Sequence, residues 1–222
     1  CGALEDDAGV RVVVLAGRGR HFSAGADLNW MQRASACTEA ENLADARKFA
    51  AMLQALSGLP KPTIARVQGA ALGGGTGLAA ACDMVVAADN AQFSTSEVKF
   101  GIIPAVISPY VLRAIGPRHA LRYFQTAEKF SAAEAKAIGL VSELVTLDEL
   151  DAGVAKLVQS LLTGGPLAQQ AAKELIAAIS GRQIDAAVGE ETALRIARQR
   201  AGAEAREGIT AFLHKRPAAW QT

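Results

Sequence analysis

Two glycine- and alanine-rich segments, each entered from an apolar run, constrain this chain more than any other feature. The first is His21-Phe22-Ser23-Ala24-Gly25-Ala26-Asp27 and the second is Gly69-Ala70-Ala71-Leu72-Gly73-Gly74-Gly75-Thr76-Gly77. Small residues let backbone N–H groups approach a ligand with no side chain in the way. Residues 10–16 form a continuous apolar run with one arginine, so they read as a buried strand, closed by Gly17-Arg18-Gly19-Arg20. Residues 63–68 read as a second strand that runs directly into the second glycine-rich segment. Two such segments suggest a pair of N–H donors converging on one oxygen. Donors of that kind stabilise developing negative charge without themselves reorganising.

The rest of the chain fits an α/β core followed by helices. A helix is predicted over 38–56, with Thr38 as N-cap and Glu41 completing a capping box. Ser57-Gly58-Leu59-Pro60-Lys61-Pro62 ends it. Residues 78–81 continue the second glycine-rich segment as a short, very apolar helix at the centre of the molecule. Residues 84–88 are predicted as a third strand and 91–95 as a short fourth. Alternating strands and helices imply an α/β fold. From Pro117 the sequence turns helical, over 118–125, 131–138, 148–162, 166–180 and 185–214. The expected organisation is an α/β core over 1–125 and a helical region over 126–222. The opening Cys1-Gly2-Ala3-Leu4 resembles the tail of a helix, as if the core's N-terminal part lay before it.

Composition narrows the function. Half of the 222 residues are hydrophobic, enough for one compact domain with a substantial core. Lys and Arg number 23 against 22 Asp and Glu, which gives no electrostatic footprint for nucleic acid. The basic stretch 195–206 is diluted by Glu204 and Glu207 and reads as a solvated or partner-facing helix. Cys1, Cys37 and Cys82 fit neither a disulfide framework nor a zinc site, which points to a reducing, cytoplasmic setting. Cys82 lies in an apolar stretch and reads as core packing. Histidines 21, 119 and 214 are too scattered for a metal centre, and His21 reads as structural or solvent-facing. No apolar run is long enough to span a membrane, and no signal peptide is visible.

Five segments occur in order: Phe22-Ser23-Ala24-Gly25-Ala26-Asp27-Leu28, Lys61-Pro62-Thr63-Ile64-Ala65, Gly69-Ala70-Ala71-Leu72-Gly73-Gly74-Gly75, Ala81-Cys82-Asp83-Met84 and Phe100-Gly101-Ile102-Ile103-Pro104. Together they strongly resemble the crotonase (enoyl-CoA hydratase/isomerase) superfamily over nearly the whole chain. The resemblance implies an α/β spiral of strand-strand-helix repeats with a helical C-terminal trimerisation region. It also implies a homotrimer or dimer of trimers and an acyl-CoA substrate, with coenzyme A as part of that substrate and no separate cofactor or metal. The family's oxyanion hole for a thioester enolate maps onto the N–H groups of Ala26 and Gly74, the latter helped by a helix dipole. The spacing of glycines 73, 74, 75 and 77 does not fit a dinucleotide fingerprint.

Glu97, in Phe93-Ser94-Thr95-Ser96-Glu97-Val98, matches one of two catalytic glutamates of family hydratases. An apolar pocket raises a carboxyl pKa toward a general acid/base's working range. The second glutamate is expected three residues after Gly74, where this chain has Gly77. Single-glutamate members are often isomerases that move a proton from C2 to C4. Ala26-Asp27-Leu28-Asn29-Trp30-Met31 and Ile103-Pro104-Ala105-Val106-Ile107-Ser108-Pro109-Tyr110 instead resemble the bacterial methylglutaconyl-CoA hydratase branch, which can carry glycine at that position. Both activities stay open on the sequence, as does a non-catalytic CoA-binding subunit.

Further substrate contacts follow from the resemblance. Trp30 and Met31 either wall the acyl pocket or pack a helix face. Gly73 and Gly77 flank the oxyanion segment, and Pro104 and Val106 shape the far wall, where Val106 and Ile107 replace glycines common in the family. Ala24 and Asp27 match the adenine-holding loop, although Asp27 also suits a helix N-cap. Phe212 and Lys215 match positions that contact the CoA adenine and 3′-phosphate from a neighbouring subunit; a solvated helix end is the alternative.

Overall fold

A computed structural model describes residues 1–221. Its elements are α1 (Gly2–Glu5), β1 (Val13–Ala16), α2 (Leu28–Ala36), α3 (Glu39–Ser57), β2 (Thr63–Val67), β3 (Ala70–Leu72), α4 (Gly74–Ala81), β4 (Met84–Ala88) and β5 (Gln92–Ser94). A 3₁₀ turn (Glu97–Phe100) leads to α5 (Ser108–Thr126), β6 (Phe130–Ser131), α6 (Ala132–Ala137) and β7 (Glu143–Val145). The chain then continues through α7 (Leu150–Leu162), α8 (Pro166–Ile179), α9 (Ala186–Ala201) and α10 (Ala203–Leu213).

The strands form two sheets. The first has the order β1-β2-β4-β7 and is parallel throughout, with Val14 opposite Ile64 and Ala65 opposite Val85. The second has the order β3-β5-β6; Ala71 pairs with Phe93 in parallel, and Phe93 with Phe130 antiparallel. Successive strands alternate between the sheets before each helix. Thus β2, β3 and α4 make one turn of a spiral, and β4, β5 and α5 the next. Residue Ser23 bridges Ala71 in parallel, so the preceding turn, which runs from β1 toward α2 and α3, repeats the pattern. This is the strand-strand-helix spiral that the resemblance implies.

α4 occupies the centre because its side chains are small. Gly75, Thr76, Gly77, Ala79, Ala80 and Ala81 are all buried. The main core gathers around it, including Leu53, Val67, Phe93, Ile107, Val111 and Tyr123. A second cluster, Ile64, Val86, Ala88, Leu150 and Val154, seals the first sheet against α7. Burying such apolar side chains is what stabilises the two-sheet arrangement.

Several expected elements form as read. α3 starts at the Thr38/Glu41 capping box, with Thr38 N–H donating to Glu41 Oε2 at 2.8 Å. The helix predicted over 185–214 is two helices, broken at Gly202, whose ψ of 158° is extended. The region beyond 125 is not purely helical: β6 and β7 complete the edges of both sheets, so the α/β core runs on to Val145. β3 lies inside the second glycine-rich segment, and α2 follows the Asp27 cap; neither was bounded as an element from the sequence. No helix among the described residues is long and apolar enough to cross a membrane.

Candidate active site

The two small-residue segments meet through backbone hydrogen bonds. Phe22 N–H donates to Gln68 C=O and Ser23 N–H to Ala70 C=O, both at 2.9 Å. Leu72 N–H returns the bond to Ser23 C=O at 2.9 Å. Ala24-Gly25-Ala26 therefore leaves this pairing beside the turn from β3 into α4. Contact is close enough to require glycine. A Cβ on Gly75 would lie 2.7 Å from Ser23 C=O, and one on Gly74 would lie 3.2 Å from Phe49 Cζ on α3. Gly73 has φ 54° and ψ −117°, a conformation suited to glycine alone.

Gly74 is the first residue of α4, so its N–H has no intrahelical acceptor and sits at the positive end of the helix. Thr76 fixes this end. Its hydroxyl lies 2.7 Å from Ala71 C=O and 3.0 Å from Ser94 C=O, and accepts Ser94 N–H at 3.3 Å. Gly73 N–H also donates to Ser94 C=O at 2.8 Å. The start of α4 and the segment carrying Glu97, three residues beyond Ser94, are thus one frame. Thr95 Oγ1 donates to Tyr123 C=O at 3.0 Å and anchors that segment to α5.

Glu97 opens the 3₁₀ turn and its carboxylate lies over Gly73. A Cβ on Gly73 would meet Glu97 Oε1 at 3.3 Å and Ser96 Oγ at 3.9 Å. Glu97 Oε2 is buried and has no hydrogen-bond partner among the described residues. Burial raises the Glu97 pKa, and a hydrogen bond from its own backbone N–H acts in the opposite direction without outweighing it. A carboxylate held above its ordinary range in this way is suited to take up and return protons.

One cleft of about 1180 Å³ collects these groups. Its walls include the expected Ala24, Ala26, Asp27, Trp30, Met31, Gly73, Gly74, Glu97, Pro104 and Val106. Asp27 borders the cleft while its carboxylate caps α2, accepting Trp30 N–H at 2.8 Å. Gly77, Phe212 and Lys215 do not line it. Gly77 is buried beneath Ile107: a Cβ there would be 2.1 Å from Ile107 Cγ2. Gly77 is therefore not exposed in the cleft, and Ile107, which covers it, is what lines the cleft there. Phe212, 82 % exposed, and Lys215 stand at the far end of α10.

Ser96, Phe49 and Leu78 also line the cleft and went unread as site residues in the sequence, whereas Ile107, read with Val106 as replacing family glycines, lines it too. Of the three unread, only Ser96, as Glu97's neighbour, carried any local signal. Outside the cleft, His21 Nδ1 accepts Ala70 N–H at 3.0 Å and supports the start of β3. The buried Cys82 thiol is pushed up to about 12 by burial and the adjacent Asp83 charge, so it stays protonated.

Comparison with known proteins places this geometry. The family model for enoyl-CoA hydratase/isomerase matches residues 2–222. The chain is 40 % identical over 223 residues to a crotonyl-CoA hydratase of Syntrophomonas wolfei, covering 97 % of this chain and 82 % of that protein. It is 36 % identical over 216 residues to the 2,3-dehydroadipyl-CoA hydratase of Escherichia coli, covering 96 % and 82 % respectively. The crystal structure of an enoyl-CoA hydratase from Shewanella pealeana superposes with a TM-score of 0.95 at 41 % identity, covering 99 % of this chain and 82 % of that one. With its fold, its glycine-rich helix start and nearly its whole length matched, the chain belongs to the enoyl-CoA hydratase/isomerase family of the crotonase superfamily and is an enzyme of the hydratase type.

Proposed function

We propose that this hydratase acts on a branched or carboxylated 2-enoyl-CoA, with 3-methylglutaconyl-CoA as the representative substrate, and that Glu97 is its single acid/base. The observation that carries the reading is the Glu97 carboxylate over Gly73, beside the start of α4 and in one cleft with Ala26. The N–H groups of Ala26 and Gly74 receive the thioester oxygen. As water attacks C3, Glu97 takes its proton and the C2=C3 electron pair moves onto that oxygen as an enolate. Glu97 then returns the proton to C2 as the thioester re-forms. Each oxyanion donor contributes on the order of 3 kcal/mol to such a step.

The substrate class rests on the resemblance of segments 26–31 and 103–110 to the methylglutaconyl-CoA branch. The similarity to a 2,3-dehydroadipyl-CoA hydratase supports it, since that name denotes an enoyl group bearing a distal carboxylate. Trp30, Met31, Pro104 and Val106 wall the acyl end in this reading. Ala24 holds the adenine side, and CoA enters only as part of the substrate. Phe212 and Lys215 serve the CoA adenine and 3′-phosphate of a neighbouring subunit. The assembly is a homotrimer or dimer of trimers, supported by exposed apolar residues Leu167, Ile176, Ile209 and Leu213 on α8 and α10. The setting is cytoplasmic.

A second reading, isomerisation of 3-enoyl to 2-enoyl-CoA, is favoured by the packing of Gly77 under Ile107, which leaves one carboxylate to move a proton from C2 to C4. The test follows conjugated-enoyl absorbance with 3-methylglutaconyl-CoA, crotonyl-CoA and a 3-enoyl-CoA. Absorbance lost fastest with the first supports the specialised hydratase. Absorbance gained with the 3-enoyl substrate alone overturns it in favour of isomerisation.

A further inference from the structure

A hydratase with one carboxylate must still hold its attacking water in line with C3. The position that gives other family members a second glutamate is closed here, since Gly77 is covered by Ile107. The polar group beside Glu97 that faces the same space is Ser96. Its Oγ and Glu97 Oε1 flank one point above Gly73, at 3.9 and 3.3 Å. That point is where a Gly73 side chain would begin, so a water bridging the two oxygens lies farther out in the cleft, clear of the Gly73 Cα, with O···O distances of about 2.7–2.8 Å to each.

We propose that the Ser96 hydroxyl positions the attacking water for Glu97, replacing the orienting role of a second carboxylate. The residue is half-buried and lines the cleft. It precedes the 3₁₀ turn without capping it, and its hydroxyl has no hydrogen-bond partner among the described residues. The other cleft hydroxyls are placed differently. Ser94 Oγ donates to Ala127 C=O at 3.3 Å, and Ser23 lies against Gly75. Glu97 Oε2 has no protein partner, so a water held by Ser96 faces a carboxylate free to accept its proton. The step balances: one O–H proton passes from water to Glu97, the water oxygen bonds C3, and the same proton returns to C2. Ser96 holds a lone pair or proton of the water throughout and is itself unchanged.

This inference rests on the hydratase reading, and its test separates the two. Hydration of crotonyl-CoA is measured alongside exchange of the C2 protons of butyryl-CoA in D2O. Exchange needs Glu97 and the oxyanion donors but no attacking water. Ser96→Ala is expected to lower hydration kcat roughly 10- to 100-fold, the loss of one hydrogen bond to a charged or developing centre. KM and the exchange rate should change less than about twofold, and Ser96→Thr should restore most of the hydration. Parallel loss of hydration and exchange would overturn the proposal, because Ser96 would then be supporting Glu97 itself. Unchanged hydration would overturn it as well. Wild-type protein that exchanges C2 protons but hydrates neither crotonyl-CoA nor 3-methylglutaconyl-CoA would overturn the hydratase reading, and the water-positioning role with it, before any variant is compared.

Discussion

Ile107 fills the space over Gly77. A Cβ on Gly77 would meet Ile107 Cγ2 at 2.1 Å and Cβ at 2.6 Å, and Ile107 is 2 % exposed. The missing second glutamate and the isoleucine are thus one exchange of volume between α4 and the residue before α5. Gly77→Ala should cost about 1–3 kcal/mol through overpacking, and Gly77→Glu more, because it also buries an unpaired carboxylate. Ile107→Gly alone leaves a cavity and should cost about 2–5 kcal/mol. The double variant Gly77→Glu/Ile107→Gly should be more stable than the summed single effects by about 1 kcal/mol or more. Additive losses in chemical denaturation would show that the two positions do not share that space.

Glu97→Gln should lower turnover about 10²- to 10⁴-fold while leaving acyl-CoA binding in place, as expected on removing a general acid/base. It should also stabilise the fold above the ordinary carboxylate range. Burial raises the Glu97 pKa in the folded protein from 4.5, so the fold retains a proton there that the unfolded chain has lost. Wild-type stability therefore falls as pH rises through that window, while glutamine carries no such dependence. Melting curves at pH 4 and pH 8 should show the variant gaining on the wild type only at the higher pH. The wild-type acid limb of kcat/KM, where the carboxylate must be ionised to act as base, should likewise lie above 4.5. A limb at or below that value would mean that Glu97 is solvated in the working enzyme.

Gly73→Ala tests the frame that holds Glu97. Alanine must adopt φ 54° and ψ −117°, at a cost of about 1–3 kcal/mol, and its methyl would crowd Glu97 Oε1 at 3.3 Å. Activity should fall at least about 100-fold, since a small misplacement of a reacting group has that effect. A variant that melts earlier yet keeps its kcat would mean that the position of Glu97 does not depend on Gly73.

The sequence made some of this architecture legible and hid the rest, for local reasons. The Thr38/Glu41 box and the apolar run of β4 carry their own signals within a few residues, and both form as read. Glu97 and the Gly73–Gly74 turn were readable because the family motifs name them. β3 was not, because three residues beside glycines have no periodicity and their pairing partners Ser23 and Phe93 are distant in sequence. α2 had only the Asp27 cap to announce it. Gly77 advertised a missing carboxylate, but its cover lies 30 positions on, so only the fold reveals Ile107 as the replacement. Ser96 carried no motif; its bearing comes from facing the same point as Glu97.

Lys215 offers a test of the CoA reading that folding effects cannot mimic. It ends α10 in a left-handed conformation, φ 51°, with its N–H donating to Phe212 C=O at 3.1 Å and Arg216 N–H donating to Ala211 C=O at 3.0 Å. Glycine is the usual residue at such a helix end, because a side chain there costs about 1–2 kcal/mol. Lys215→Gly should relieve that strain, less the greater freedom it gives the unfolded chain, and so melt at or above the wild-type temperature. Lys215→Ala keeps the strained backbone and should melt slightly below the glycine variant. If Lys215 pairs with the CoA phosphate, both variants should raise KM for crotonyl-CoA about 3- to 10-fold, as expected on losing one charge-assisted contact. Added salt should raise the wild-type KM and leave the variants' nearly flat, because only the wild type has a charge pair to screen. A wild-type KM and salt response in both variants would remove Lys215 from the CoA site and leave it as a helix end alone.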